Sequence, residues 1–154
     1  MLIFGLDPGV TNIGYSIYST IDKQVLESSE ITAKQHELED KLVHVYNKFN
    51  ELIEKYQFKM LSYEQPVFVG RGTTGERINR VLGVILLLCR LNGIQTLSYT
   101  APQLKKKTTG NGKADKHDVE SAVAKYFNIN NKFSTNHASD SLGAIMCYLL
   151  DKGE

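Results

Sequence analysis

The chain has 154 residues, 42% hydrophobic and 23% charged, which suits one compact domain (1–154) with a buried core and excludes disordered, collagenous and coiled-coil classes. Its longest apolar run, residues 81–89, falls far short of the roughly 20 residues a bilayer span needs, and no signal peptide is visible, so no membrane partner is expected. The net charge of +1 comes from 18 basic and 17 acidic side chains and, taken whole, speaks against a nucleic-acid partner. In chain order, residues 1–7 (MLIFGLD) form an apolar run ending in a carboxylate, the pattern of a central strand buried on both faces. Asp7-Pro8-Gly9 is turn chemistry. Residues 12–19 alternate Ile13, Tyr15 and Ile17 as a strand, and 24–32 make a third, completing a meander.

Residues 37–56 repeat Leu38, Leu42, Val45, Phe49, Leu52 and Tyr56 at helical spacing. Residues 59–64 (KMLSYE) are a strand that again closes on a carboxylate, and 65–72 are a loop with Pro66, Gly70 and Gly72. A helix follows from Thr73 or Thr74 to Asn92, where Asn92-Gly93 ends it, and 94–100 form a further strand. Pro102 opens a short helical turn, after which 107–115 (KTTGNGKAD) read as a mobile loop. Asp115 caps a helix to Phe127, and 136–152 form a last helix with Leu142, Ile145, Met146 and Leu149 on its apolar face. Cys89 and Cys147 lie within apolar runs and read as reduced core residues of a cytoplasmic protein. The order β-β-β-α-β-α-β-α predicts an α/β fold, a mixed five-stranded sheet flanked by helices, with its site at strand carboxyl ends.

The small net charge hides an uneven distribution. Residues 1–64 carry 6 basic and 10 acidic side chains, whereas 65–116 carry 9 basic and 2 acidic. Such a basic stretch can track phosphates, although lysines that merely solubilise a loop would look the same. Three carboxylates stand out by placement: Asp7 and Glu64, each closing an apolar strand, and Asp140 on the last helix. Buried carboxylates are costly without a partner, and oxygen donors suit Mg²⁺ or Mn²⁺. Two such ions roughly 3.5–4 Å apart serve in-line phosphoryl displacement. Capping a turn is the plainer role open to Asp7. His137 shares a helix face with Asp140 and suits metal ligation or proton transfer.

Four motifs in order resemble those of the RuvC Holliday-junction resolvases, in the ribonuclease-H-like nuclease superfamily. They are Ile3-Phe4-Gly5-Leu6-Asp7-Pro8-Gly9-Val10-Thr11-Asn12-Ile13-Gly14, then Tyr63-Glu64-Gln65, then Ala101-Pro102-Gln103-Leu104-Lys105 with Lys116 eleven residues on, and His137-Ala138-Ser139-Asp140-Ser141-Leu142. Many members carry aspartate where His137 stands, and the family's stacking phenylalanine falls at Val67, one residue before Phe68.

The resemblance implies a Mg²⁺-dependent endonuclease that nicks four-way or other branched DNA symmetrically. It implies two Mg²⁺ per site, with Mn²⁺ also open, held by Asp7, Glu64, Asp140 and His137. It makes Lys105 and Lys116 catalytic partners that stabilise phosphate charge. Phe68 would stack at the junction, and Arg71, Arg77, Arg80, Lys105, Lys106, Lys107, Lys113 and Lys116 would meet the backbone. A homodimer matches the two strands to be cut, and helix 73–92, apolar nearly all round from Val81 to Leu88, offers the interface. A branch-migration motor as partner, and host or phage origin, stay open.

Two other functions compete with this one. A structure-specific binding module without catalysis would have no need of three acids. An actin-like phosphotransferase shares the pattern Asp7-Pro8-Gly9-Val10-Thr11, but it normally has two such domains and a second phosphate motif, and no second copy is present.

Overall fold

The computed structural model describes residues 1–67, 73–129 and 136–154. Strands β1 (Leu2–Asp7), β2 (Asn12–Ser19) and β3 (Gln24–Thr32) form the antiparallel meander. β4 (Met60–Glu64) pairs parallel to β1, and β5 (Gln95–Tyr99) pairs parallel to β4. Among the described residues the sheet order is β3-β2-β1-β4-β5, which puts β1 at the centre.

The pleat sends alternate residues of each strand to opposite faces. Phe4 and Leu6 of β1 join a cluster with Val45, Phe49 and Ile53 of α1 (Leu38–Tyr56) and Val81, Ile85 and Leu88 of α2 (Thr73–Leu91). Aromatic rings fill its centre, with Phe4 4.7 Å from Phe58 and 5.3 Å from both Tyr15 and Phe49 between centroids. Ile3 faces the other way. It packs with Leu104 of α3 (Ala101–Thr109), Val119 of α4 (Lys116–Tyr126) and Leu142 and Ile145 of α5 (Asn136–Asp151). Both cysteines are free and buried, and burial pushes each thiol up to about 12.

The expected mobile loop over 107–115 is corrected: α3 continues through Thr109. Thr108 Oγ1 donates to Leu104 O at 2.9 Å and Thr109 Oγ1 to Lys105 O at 2.7 Å. Gly110, at φ 81°, ends the helix in the left-handed conformation that glycine adopts freely. Thr100 and Gln103 close a capping box at its start, and Asp115 and Asp118 do the same for α4. On α2 the inner face is buried, but Leu87 and Leu91 are 57% and 71% exposed. No helix among the described residues is long and apolar enough to cross a membrane.

α5 lies unusually close to the sheet. A Cβ on Gly5 would sit 2.1 Å from Ser141 O and 2.7 Å from Ile145 Cγ1. The clash is with backbone, which cannot rotate away. Gly5→Ala is therefore expected to destabilise the chain by about 1–3 kcal/mol, seen as a lower urea midpoint. An unchanged midpoint would contradict the close approach.

Candidate active site

Asp7 and Glu64 are the last residues of β1 and β4, neighbouring parallel strands in register up to Leu6 and Tyr63. Both side chains fall on the α5 face of the sheet, two residues beyond Gly5 and Ser62. The start of α5 lies over them. His137 Nδ1 and Asp7 Oδ2 lie 2.6 Å apart, in hydrogen-bond contact. Gly14, the register partner of Asp7 on β2, makes this approach possible, because a Cβ there would come 2.4 Å from His137 Cβ. Asp140 follows on the same helix face and accepts from Lys116 Nζ at 3.2 Å. Asp7, Glu64, Asp140, Lys105 and Lys116 line one cavity of about 210 Å³ with Ala101, Leu104 and Val119. A larger hollow of about 720 Å³ behind α3 and α4 has Asp118 and Lys125 as its charged lining and none of these acids.

Burial, reinforced by the charge of Asp140, raises the Asp7 carboxyl above its ordinary range, against the lowering effect of the His137 hydrogen bond. Burial also raises Glu64, with Asp140 and Asp7 adding to it and Lys105 and Lys116 opposing. Three half-buried acids thus line one cleft, and the nearby lysines offset the raising of Asp7 and Glu64 only in part. Three carboxylates and an imidazole are a donor set that fits Mg²⁺ or Mn²⁺. The cleft is open: among the described residues, the trio whose donor atoms all lie within 4.8 Å of one another is Asp115, His117 and Asp118. That trio is exposed, and Asp115 and Asp118 are the capping box of α4.

The structure brings Asp7, Glu64, His137, Asp140, Lys105 and Lys116 together. Lys106 and Lys113 are exposed on α3 and on the turn after it. Lys107 is not directed to the cleft. It pairs with Asp151, which also accepts from Tyr99 Oη at 2.6 Å and lies eleven residues beyond Asp140. That is about 16 Å along α5. Arg77 and Arg80 line a charged hollow with His36, Glu37, Glu39 and Glu76 on the α1–α2 side of the sheet, where Arg80 pairs with Glu76. Phe68 and Arg71 lie outside the described residues.

Sequence reasoning passed over several supports of the site. Gly5 and Gly14 admit α5, and their only signal is small residues on one face of apolar strands. Buried Lys41 ties the turn after Asp7 to the start of α1, donating to Ala33 O and to Thr11 Oγ1 at 3.4 Å.

A family model described as crossover junction endodeoxyribonuclease RuvC matches residues 3–148. The chain belongs to the RuvC family. RuvC of Treponema denticola is 31% identical over 145 residues, covering 92% of this chain and 82% of that protein. RuvC of Caldicellulosiruptor saccharolyticus is 28% identical over 158 residues, covering 97% and 93%. The solved Thermus thermophilus RuvC aligns at a TM-score of 0.88 with 18% identity, over 99% of this chain and 96% of that one. A second Thermus thermophilus RuvC structure, in complex with a Holliday junction substrate, aligns at 0.86 with 16% identity over 99% and 95%. The likeness shows the RuvC fold, the ribonuclease-H-like mixed sheet expected from the motifs.

The raised carboxyls have a measurable consequence. An acid whose folded pKa exceeds its unfolded value holds its proton more tightly in the fold. The metal-free fold therefore gains stability as pH falls through the folded pKa, and ionised Glu64 costs stability at neutral pH. Glu64→Gln is expected to raise the melting temperature in EDTA at neutral pH by about 2–4 °C, for roughly 1 kcal/mol of relief. Scanning calorimetry showing a lower melting temperature would contradict this electrostatic picture.

Proposed function

We propose that this chain resolves four-way DNA junctions by hydrolysing one phosphodiester bond in each of two opposed strands, dependent on Mg²⁺. The observation that carries the reading is Asp7 and Glu64 at adjacent strand ends beneath His137 and Asp140, with both strand-end carboxyls raised by burial and by neighbouring charge. These four residues would hold the cations, two per site, and divalent cations bound there would neutralise phosphate charge and acidify a water molecule. His137 orients the Asp7 carboxylate through its hydrogen-bond contact. Lys105 and Lys116 bring positive charge to the cleft wall, where a scissile phosphate must approach three acids. Manganese can replace magnesium in such a donor set.

Exposed Lys106 and Lys113 add further positive charge on α3 and the turn after it as backbone contacts. Phe68 is the proposed stacking residue at the junction, and Arg71 a proposed phosphate contact. Lys107, held by Asp151, and Arg77, on the α1–α2 side, are left out of the DNA path. Residues 1–154 act as a single nuclease domain in the cytoplasm, and two copies pair through the outer face of α2. Exposed Leu87 and Leu91 supply the apolar contact there. A two-fold dimer would present two cleavage sites to the two symmetric strands of a junction. Neither a silent junction binder nor an actin-like phosphotransferase is favoured. A binder would bear the cost of three crowded acids without using them.

In Mg²⁺, Asp7→Asn is expected to lower single-turnover cleavage of a synthetic four-way junction by on the order of 100-fold or more. Its junction affinity, measured by fluorescence anisotropy, should stay within a few-fold of the parent chain. A variant that cuts at the parent rate would remove Asp7 from the site.

A further inference from the structure

One transverse row of the sheet carries small residues on four of its five strands, with Leu97 at its β5 end. Ser28, Ser16, Gly5 and Ser62 are register neighbours across β3, β2, β1 and β4. The next row on the same face runs through Glu30, Gly14 and Asp7, and Glu64 ends β4 two residues after Ser62. The row under α5 therefore lies one pleat behind the row that bears the acids, about 7 Å away along the strands.

Hydroxyl groups join this row to α5. Ser16 Oγ and Ser141 Oγ are 2.7 Å apart, Ser16 Oγ and Ser28 Oγ are 2.7 Å apart, and Ser62 Oγ donates to Ala144 O at 2.7 Å. Ser141 Oγ donates to Ala138 O at 3.1 Å. Each hydroxyl can donate once and accept, so Ser28, Ser16 and Ser141 form one linked chain of hydroxyls. Ser16, Ser62 and Ser141 are fully buried. Sliding or rolling α5 would break these bonds where no water can replace them. Apolar contacts alone would tolerate such a shift. The clamped segment is also the functional one, since Ala138 follows His137 and Ser141 follows Asp140.

We propose that Ser16, Ser62 and Ser141 are positioning residues whose hydroxyls set α5 against the sheet, so that His137 and Asp140 are held over Asp7 and Glu64, where a divalent cation would draw the four together. The proposal rests on the metal-site reading above. Folding alone does not call for these serines, because replacing both members of a buried hydroxyl pair by alanine is close to neutral.

The test combines Ser16→Ala with Ser141→Ala and measures three quantities on the full chain: the urea midpoint, Mn²⁺ affinity without DNA, and the Mg²⁺ concentration that half-saturates junction nicking. The double variant should keep its urea midpoint while Mn²⁺ binding weakens about 10-fold and half-saturation moves to higher Mg²⁺. Ser19→Ala is the control, since its hydroxyl bonds Asp22 in the β2–β3 turn and no atom of α5. Its Mn²⁺ affinity should match the parent. Ser62→Ala removes a donor to a helix carbonyl without orphaning another group, and it decides the matter alone if the double variant unfolds. Parent-like Mn²⁺ affinity in the double variant, or in Ser62→Ala where that variant must decide, overturns the proposal, as does an equal loss in Ser19→Ala. A parent chain that binds Mn²⁺ but does not nick contradicts the nuclease reading, and the Mn²⁺ affinities still decide the positioning role. A parent that binds no Mn²⁺ overturns both.

Discussion

A side chain on Gly5 would collide with the Ser141 carbonyl at 2.1 Å, so α5 rests on β1 at a separation that only glycine permits. The rest of the cleft follows from that contact. With α5 so low, its first turns reach the carboxyl ends of β1 and β4, and His137 comes within 2.6 Å of Asp7. A larger residue at Gly5 or Gly14 would lift the helix and part Asp140 and His137 from the strand-end acids. Ser16 and Ser62, on either side of Gly5, use the same closeness to reach α5 with hydroxyls.

The two faces of the sheet do different work. The α1–α2 face is filled by the packed rings of Phe4, Tyr15, Phe49 and Phe58, with the Tyr15 hydroxyl satisfied by Glu27. The α5 face carries buried serines and crowded acids, whose ionised forms oppose folding when no cation is present. Stability drawn from the first face lets the second hold groups in an unfavourable state. Asp7 and Glu64 are raised by burial and by neighbouring charge, and the nearby cations Lys105 and Lys116 offset this only in part. The proposed metal affinity and the metal-free stability thus pull against each other at the same residues.

Much of this was legible from the residues. Apolar runs ending in Asp7 and Glu64 identify central strands and their carboxyl ends, because the pattern and the polar stop coincide. The periodicity of 37–56 and the capping signal at Asp115 are local and strong. Other features depend on partners distant in sequence. Lys107 looks like one of three loop lysines until α5 brings Asp151 beside it. The threonines that extend α3 act through carbonyls of their own helix, which a glycine-rich reading of 107–115 obscured. The row of Ser28, Ser16, Gly5 and Ser62 requires the strand register, which no single segment contains.

The central claim is that this cleft cuts junction DNA rather than only binding it. The most direct measurement incubates the parent chain in Mg²⁺ with a synthetic four-way junction, and in parallel with a fork, a flap and linear duplex of the same sequence. The account predicts paired nicks in opposed strands of the four-way junction and little cutting of duplex. Tight junction binding without nicks, or equal cutting of all four substrates, would contradict it.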